Sequence, residues 1–215
     1  WYVLPRDSNP PGGRLVAEGD EALRVAASRL QSACPTGGFL VDVGANTGSF
    51  SLLPLHLPHI NVVAVEPLPD AVATLRRNVD VNGLWEHVEV VNAALSDKPN
   101  VTAVLVPGIE GRSGFSRLAR TDEGAEGVPV VTDTVDNVVA RRGIEVVCML
   151  KIDVEGNAMP VLKGAENVLR TLRPDVLVER EDGKPPGWEW LVSLGYTLVE
   201  APLRGDALYL HASRS

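Results

Sequence analysis

Val41-Asp42-Val43-Gly44-Ala45-Asn46-Thr47-Gly48 follows Phe39-Leu40 and ends an apolar run with two glycines. A near-continuous apolar run of this length fits a strand buried on both faces, as in a parallel sheet between helices. Gly44 and Gly48 let the backbone turn sharply and approach a ligand with no Cβ in the way. Similar runs recur at Val62–Val65, Val88–Val91, Val146–Ile152 and Val176–Val178. Between them the apolar spacing lengthens to three and four. Val72, Leu75 and Val79 share one helix face that ends at Asn82-Gly83, where glycine can form a left-handed cap. Val161, Leu162, Ala165, Val168, Leu169 and Leu172 predict another helix, with Pro160 in its first turn and Pro174 beyond its end. This alternation predicts right-handed crossovers and a doubly wound α/β sheet.

The flanks extend that picture. Residues 20–31 predict an amphipathic helix with Asp20 as N-cap. The runs Tyr196–Ala201 and Ala207–His211, around Gly205-Asp206, predict a C-terminal antiparallel hairpin. Pro54 makes the helix after the glycine loop short, kinked or irregular. Residues 106–128, rich in glycine and charge, read as a long structureless connection of the kind that is usually functional or mobile. The expected organisation is an N-terminal helical or lid segment, 1–38, followed by a ligand-binding domain, 39–215.

Composition excludes several classes of function. Lys+Arg 20 against Asp+Glu 28 gives a net charge of −8, which argues against non-specific contact with nucleic acid or anionic membrane. No apolar run reaches the ~18 residues of a membrane helix, so a soluble chain is expected. Two cysteines make no disulfide framework. Cys148 reads as a buried thiol, which implies a reducing, cytoplasmic setting. The start at Trp1, without a signal-peptide pattern, suggests that the natural N-terminus lies upstream. His56, His59, His87 and His211 lack metal-ligand spacing, no C-x-x-C pair occurs, and no metal is expected. Ser51, Ser113 and Ser116 lack the surroundings of a nucleophile elbow, and Trp188 and Trp190 read as packing or lid residues.

The chemistry-bearing residues sit where strands end. The loop at 42–48 is not the dinucleotide fingerprint, because G-x-G-x-x-G would need glycine at Asn46, and a nicotinamide oxidoreductase is therefore disfavoured. Asp42 would repel a pyrophosphate and suits a cationic ligand. The pattern D-x-G-x-N-x-G is a variant of the glycine-rich loop of S-adenosylmethionine enzymes, whose cofactor carries an ammonium and a sulfonium. Glu66 ends the second strand about 20 residues further on, where an acid can accept from ribose hydroxyls. Asn92 could bond an adenine edge, with the small Ala93 leaving room for the ring.

Asp153, within Lys151-Ile152-Asp153-Val154-Glu155-Gly156, should face the reaction centre, because ligands sit beyond the carboxyl ends of strands. Asp153 or Glu155 could orient a hydroxyl, take its proton or hold a divalent ion. Glu155 reads better as a first-turn acid favoured by the helix dipole. Lys151 alternates with Asp153 and can form an ion pair on the same face. Glu179 ends the fifth strand, in front of Glu181 and Asp182, and is the second carboxylate placed at the cleft. Arg112, Arg117 and Arg120 could attract an anionic substrate.

Val41–Gly48, Val65-Glu66-Pro67, Asn92–Asp97, Thr134-Val135-Asp136 and Lys151–Gly156 with Val161-Leu162-Lys163-Gly164-Ala165 together resemble the FkbM family of S-adenosylmethionine-dependent methyltransferases. The resemblance spans roughly 39–181. It implies a class I, Rossmann-like sheet of seven strands, mostly parallel, with one antiparallel strand in a C-terminal hairpin. It also implies O-methylation of a hydroxylated small molecule such as a polyketide, a sugar or another secondary metabolite. On that resemblance Asp42, Gly44, Asn46 and Gly48 would cradle the methionine part of S-adenosylmethionine. Glu66 would hold the ribose, Asn92 and Ala93 would border the adenine, and Asp153 would lie on the substrate side, with Asp153 and then Glu179 as candidate bases. The alternative is a non-catalytic S-adenosylmethionine-binding module of a larger biosynthetic protein.

Overall fold

Leu40 and Val41 are chain neighbours that lie in different cores, and this follows from the two-residue period of a strand. The computed structural model describes residues 21–106, 117–120, 126–180, 185–199 and 205–213. In chain order the first elements are α1 (Glu21–Ala33), β1 (Gly38–Val43), β2 (Ile60–Val65), α2 (Pro69–Val81), β3 (Val88–Val91) and β4 (Ala94–Leu95). Then come β5 (Thr102–Val106), β6 (Arg117–Arg120), β7 (Val128–Asp133), α3 (Val135–Ala140) and β8 (Val147–Ile152). The chain closes with α4 (Ala158–Lys163), α5 (Glu166–Thr171), β9 (Asp175–Glu179), α6 (Trp188–Ser193), β10 (Tyr196–Val199) and β11 (Asp206–His211).

Seven strands form one sheet in the order β10-β11-β9-β8-β1-β2-β3. β1, β2, β3, β8 and β9 pair in parallel, and β11 runs antiparallel to both neighbours. This is the expected Rossmann-like sheet with its C-terminal hairpin. On one face Leu40, Val62, Ala64 and Met149 pack against Leu23, Ala26 and Leu30 of α1 and Leu75 and Val79 of α2. On the other, Val41, Val63, Leu150 and Val176 pack against α3, α4, α5 and α6. Each fully buried leucine or valine contributes about 1.5–3 kcal/mol, so both layers hold the sheet. α1 shares this core with β1. The expected N-cap, Asp20, lies outside the described residues.

Three expectations need correction. The helix expected through 161–172 is two short helices, with the break at Gly164. The carbonyl oxygen of Ser96 approaches so closely that a Cβ on Gly164 would sit 2.1 Å from it. The chain restarts as α5 because Asp136 accepts from Asn167 N (3.0 Å) and Val168 N (2.9 Å), a cap supplied from α3. The segment 106–128 is not wholly structureless. Arg117–Arg120 forms β6, paired antiparallel with β5, and β5 pairs antiparallel with β7, so β4-β7-β5-β6 make a second, smaller sheet.

The third correction concerns the cysteines. Cys34, just beyond α1, is disulfide-bonded to Cys148 in β8, with Cα atoms 6.0 Å apart and 114 residues between them in the chain. Cys148 is buried as expected but is not a free thiol, so it gives no argument for a reducing compartment. Cross-linking so distant a pair restricts the unfolded chain strongly, and the Cys34→Ala/Cys148→Ala double variant is expected to lose about 2–4 kcal/mol in urea unfolding. Equal midpoints with and without the bridge would show that it contributes nothing. Among the described residues no helix is long and apolar enough to cross a membrane.

Candidate active site

In doubly wound sheets ligands bind beyond the carboxyl ends of the strands. Here β1, β2, β8 and β9 end around one cleft of about 220 Å³. Gly44, Asn46, Glu66, Ala93, Asp153 and Glu179 line it, and Leu105 and Leu118 of the small sheet add an apolar wall.

The floor is the turn after β1. Gly44 adopts φ +76°, and a Cβ there would lie 1.8 Å from the carbonyl oxygen of Asp153. Gly44 N and Ala45 N both donate to Val65 O (2.9 and 3.1 Å), which ties the turn to the end of β2. Asn46 is held at φ +50°, a conformation uncommon outside glycine and frequent at functional sites. After Gly48 the chain makes turns and a short 3-10 segment, Leu53–Leu55, as Pro54 requires.

Glu66 fastens the two loops that form the floor. Its Oε2 accepts from Asn46 N and its Oε1 from Leu68 N, each at 2.9 Å. Burial raises its pKa, the two backbone N–H groups oppose that rise, and the nearby Asp42 adds to it. Asn92 donates through Nδ2 to Glu66 O (2.9 Å) and Pro67 O (3.0 Å), so its amide braces this loop while Ala93 faces the cleft.

Of the residues expected around the cofactor, Gly44, Asn46, Glu66 and Ala93 line the cleft, whereas Asp42, Gly48 and Asn92 stand behind it. Asp42 is not among the residues that line the cleft. It is fully buried, accepts from Ser51 Oγ at 2.7 Å and lies 3.3 Å from Lys151 Nζ, so its charge is met inside the protein. Gly48 adopts φ +103°, a conformation that favours glycine, and a Cβ there would lie 2.5 Å from Leu75 Cδ1. The ion pair expected between Lys151 and Asp153 is present at 3.3 Å.

The opposite end is acidic. Asp153, Glu155 and Glu179 each bring a carboxylate oxygen within 4.8 Å of the others, close enough to share a proton or to hold a hard divalent cation. Burial and then the Asp153 charge push the Glu155 pKa up. The Glu179 pKa rises to about 8, first through burial, then through repulsion by Asp153 and a hydrogen bond with it, with Glu155 and Asp206 adding to the rise. A carboxyl raised in the folded state contributes stability that is fully present below its ordinary value of 4.5 and is lost as pH climbs through about 8. Glu179→Gln is therefore expected to flatten the melting temperature between those two pH values and to raise it above the upper one. A variant that keeps the native slope would disprove the assignment.

Glu155, read from the sequence as a first-turn acid, instead lines the cleft at φ +44°. Asn157, which donates to Leu95 O at 3.1 Å, also lines it and carried no readable signal. Arg112 and the side chains of Arg117 and Arg120 lie outside the described residues, as do Ser113, Ser116, Glu181 and Asp182.

Residues 42–200 match the family model described as the methyltransferase FkbM domain. The chain is 30% identical over 173 residues to methyltransferase sdnD of Sordaria araneosa, an alignment covering 67% of each chain. It is 30% identical over 160 residues to the 31-O-demethyl-FK506 methyltransferase FkbM of Streptomyces tacrolimicus, covering 61% of this chain and 60% of that protein. In structure it superposes on methyltransferase FkbM of Methylobacillus flagellatus with a TM-score of 0.56 at 18% identity, over 82% of this chain and 44% of the other. The chain thus spans between under half and about two thirds of the length of these proteins.

Proposed function

This chain belongs to the FkbM family of S-adenosylmethionine-dependent methyltransferases, and on that premise we propose that it methylates a hydroxyl oxygen of a small molecule. The observation that carries the proposal is the polarity of the cleft: a turn fastened by Glu66 at one end, a cluster of carboxylates at the other and apolar residues between them.

The residues present fit the cofactor. Asn46 Oδ1 is buried in the turn and finds no partner among the described residues, which leaves an acceptor ready for an ammonium or hydroxyl. Each carboxylate oxygen of Glu66 accepts one backbone N–H and keeps a further lone pair for a ribose hydroxyl. Leu68, Ala93 and Leu95 offer a surface for the adenine, and Gly44 and Asn46 border the methionine portion. When bound, S-adenosylmethionine supplies a methyl group on a sulfonium, already activated towards attack by oxygen.

The protein's part is alignment, exclusion of water and removal of one proton. Fixing two reactants in place accounts for about 7–11 kcal/mol of a barrier of this kind. Asp153 is the candidate base: its carboxylate is half-exposed in the cleft, and it takes the hydroxyl proton as the oxygen–carbon bond forms. Glu179 carries a proton near neutral pH and donates it to Asp153 in a hydrogen bond, so it orients the base. Leu105 and Leu118 would cover the apolar flank of the acceptor.

Calorimetry with S-adenosylmethionine, followed by methyl-transfer assays on a panel of hydroxylated acceptors with and without chelator, tests the proposal. Binding with transfer to oxygen is the expected result. Transfer only to nitrogen or carbon would overturn the O-methyl assignment, and binding with no transfer to any acceptor would mark a cofactor-binding module.

A further inference from the structure

Lys151 is the one residue of β8 whose charged end is buried within the sheet's upper layer, with 4% of its surface exposed. Its Nζ donates to the carbonyl oxygen of Gly44 at 3.0 Å and lies 3.3 Å from both Asp42 Oδ1 and Asp153 Oδ2. The contact with Gly44 is a hydrogen bond, and the two carboxylates are ion-pair partners of the same ammonium. The Phe50 ring lies 5.2 Å from the same atom and closes off its remaining side. The register places Lys151 directly beside Asp42 across the β1–β8 pair, so both side chains share a face.

We infer that Lys151 is a positioning residue whose ammonium holds the Gly44 turn and the Asp153 carboxylate in one fixed relation. The inference rests on the reading of Asp153 as the proton acceptor. The turn that borders the cofactor and the group that takes the proton come from different strands, and the Lys151 side chain links the turn to the Asp153 carboxylate. Its charge is secure. Burial opposes it, but Asp42 and Asp153 together outweigh the burial and raise the ammonium's pKa. Without that charge two carboxylates would face each other across a vacated position, and Asp153 would turn towards water.

Lys151→Met alone leaves Asp42 buried and uncompensated, so loss of folding would tell little. The Asp42→Asn/Lys151→Met double variant removes both charges together. It is expected to fold, to bind S-adenosylhomocysteine in calorimetry with at most about a tenfold loss, and to lose about 10²-fold or more in kcat, as for a disabled base. Adding Asp153→Asn to it is expected to bring little further loss, because the two residues act as a unit. Losses that multiply in the triple variant, or a double variant with native kcat, would overturn the inference.

A second measurement leaves the buried pair intact. In protein carrying nitrogen-15 lysine, the Lys151 Nζ signal is expected to shift in Asp153→Asn and again when S-adenosylhomocysteine is added. A signal unmoved by either, in protein that binds and methylates, overturns the role of Lys151 alone. Wild-type protein that neither binds S-adenosylhomocysteine nor methylates any acceptor overturns the functional reading, and this inference with it.

Discussion

Gly44→Ala is expected to abolish measurable binding of S-adenosylhomocysteine and to remove about 3–5 kcal/mol of folding stability, through backbone strain and overpacking acting together. The residue sits at φ +76°, where a side chain costs about 1–3 kcal/mol. The new methyl would also lie 1.8 Å from Asp153 O, a backbone atom that cannot swing aside as a side chain can. Asp153 N is itself bonded to Val43 O at 3.0 Å, so retreat would open the β1–β8 pair. Against a total stability of about 5–15 kcal/mol the change is large. Gly143 is the natural control. It has φ +60° with nothing within 4 Å of a Cβ, so alanine there meets only the conformational cost of about 1–2 kcal/mol. Urea unfolding of both variants, with calorimetry on each, checks the contrast. Similar losses at 44 and 143 would refute the steric argument.

The second large effect is on rate. Asp153→Asn is expected to lower kcat by about 10²–10⁴-fold, the usual contribution of a positioned proton acceptor, with little change in cofactor affinity. Stability should change little, because the Asp153 side chain is 43% exposed and Lys151 keeps Asp42 as a partner. Steady-state kinetics with a responsive acceptor decides the matter. Turnover close to native would remove Asp153 from the chemistry and leave Glu179 or Glu155 to be tested in its place.

The parallel strands were legible because the central ones are buried on both faces and so are written as nearly continuous apolar runs. Residues 39–43 and 147–152 are examples. The cleft followed from where those runs end, which brought Gly44, Glu66 and Asp153 into view together. What stayed hidden depends on contacts across long stretches of chain. The break at Gly164 is imposed by Ser96, a residue from another loop, and nothing in the local spacing of 158–172 announces it. The bond between Cys34 and Cys148 needs α1 to finish beside the start of β8, which only the folded topology decides. The pairing of Asp42 stayed hidden for a related reason. Beside a glycine loop the residue resembles a ligand-facing acid, but its partner Lys151 is 109 residues away in the chain, on the neighbouring strand. The strand at Arg117–Arg120 is four residues of mixed character, too short for its period to stand out.

Glu66 spends both carboxylate oxygens on the main chain of two separate loops, at Asn46 and at Leu68. The pocket floor is therefore assembled before any guest arrives, and the residue best placed to greet the guest is also a piece of the masonry. An alanine survey that scores lost affinity as a lost handshake would overrate Glu66, since such a variant forfeits the shape of the room along with one of its hooks.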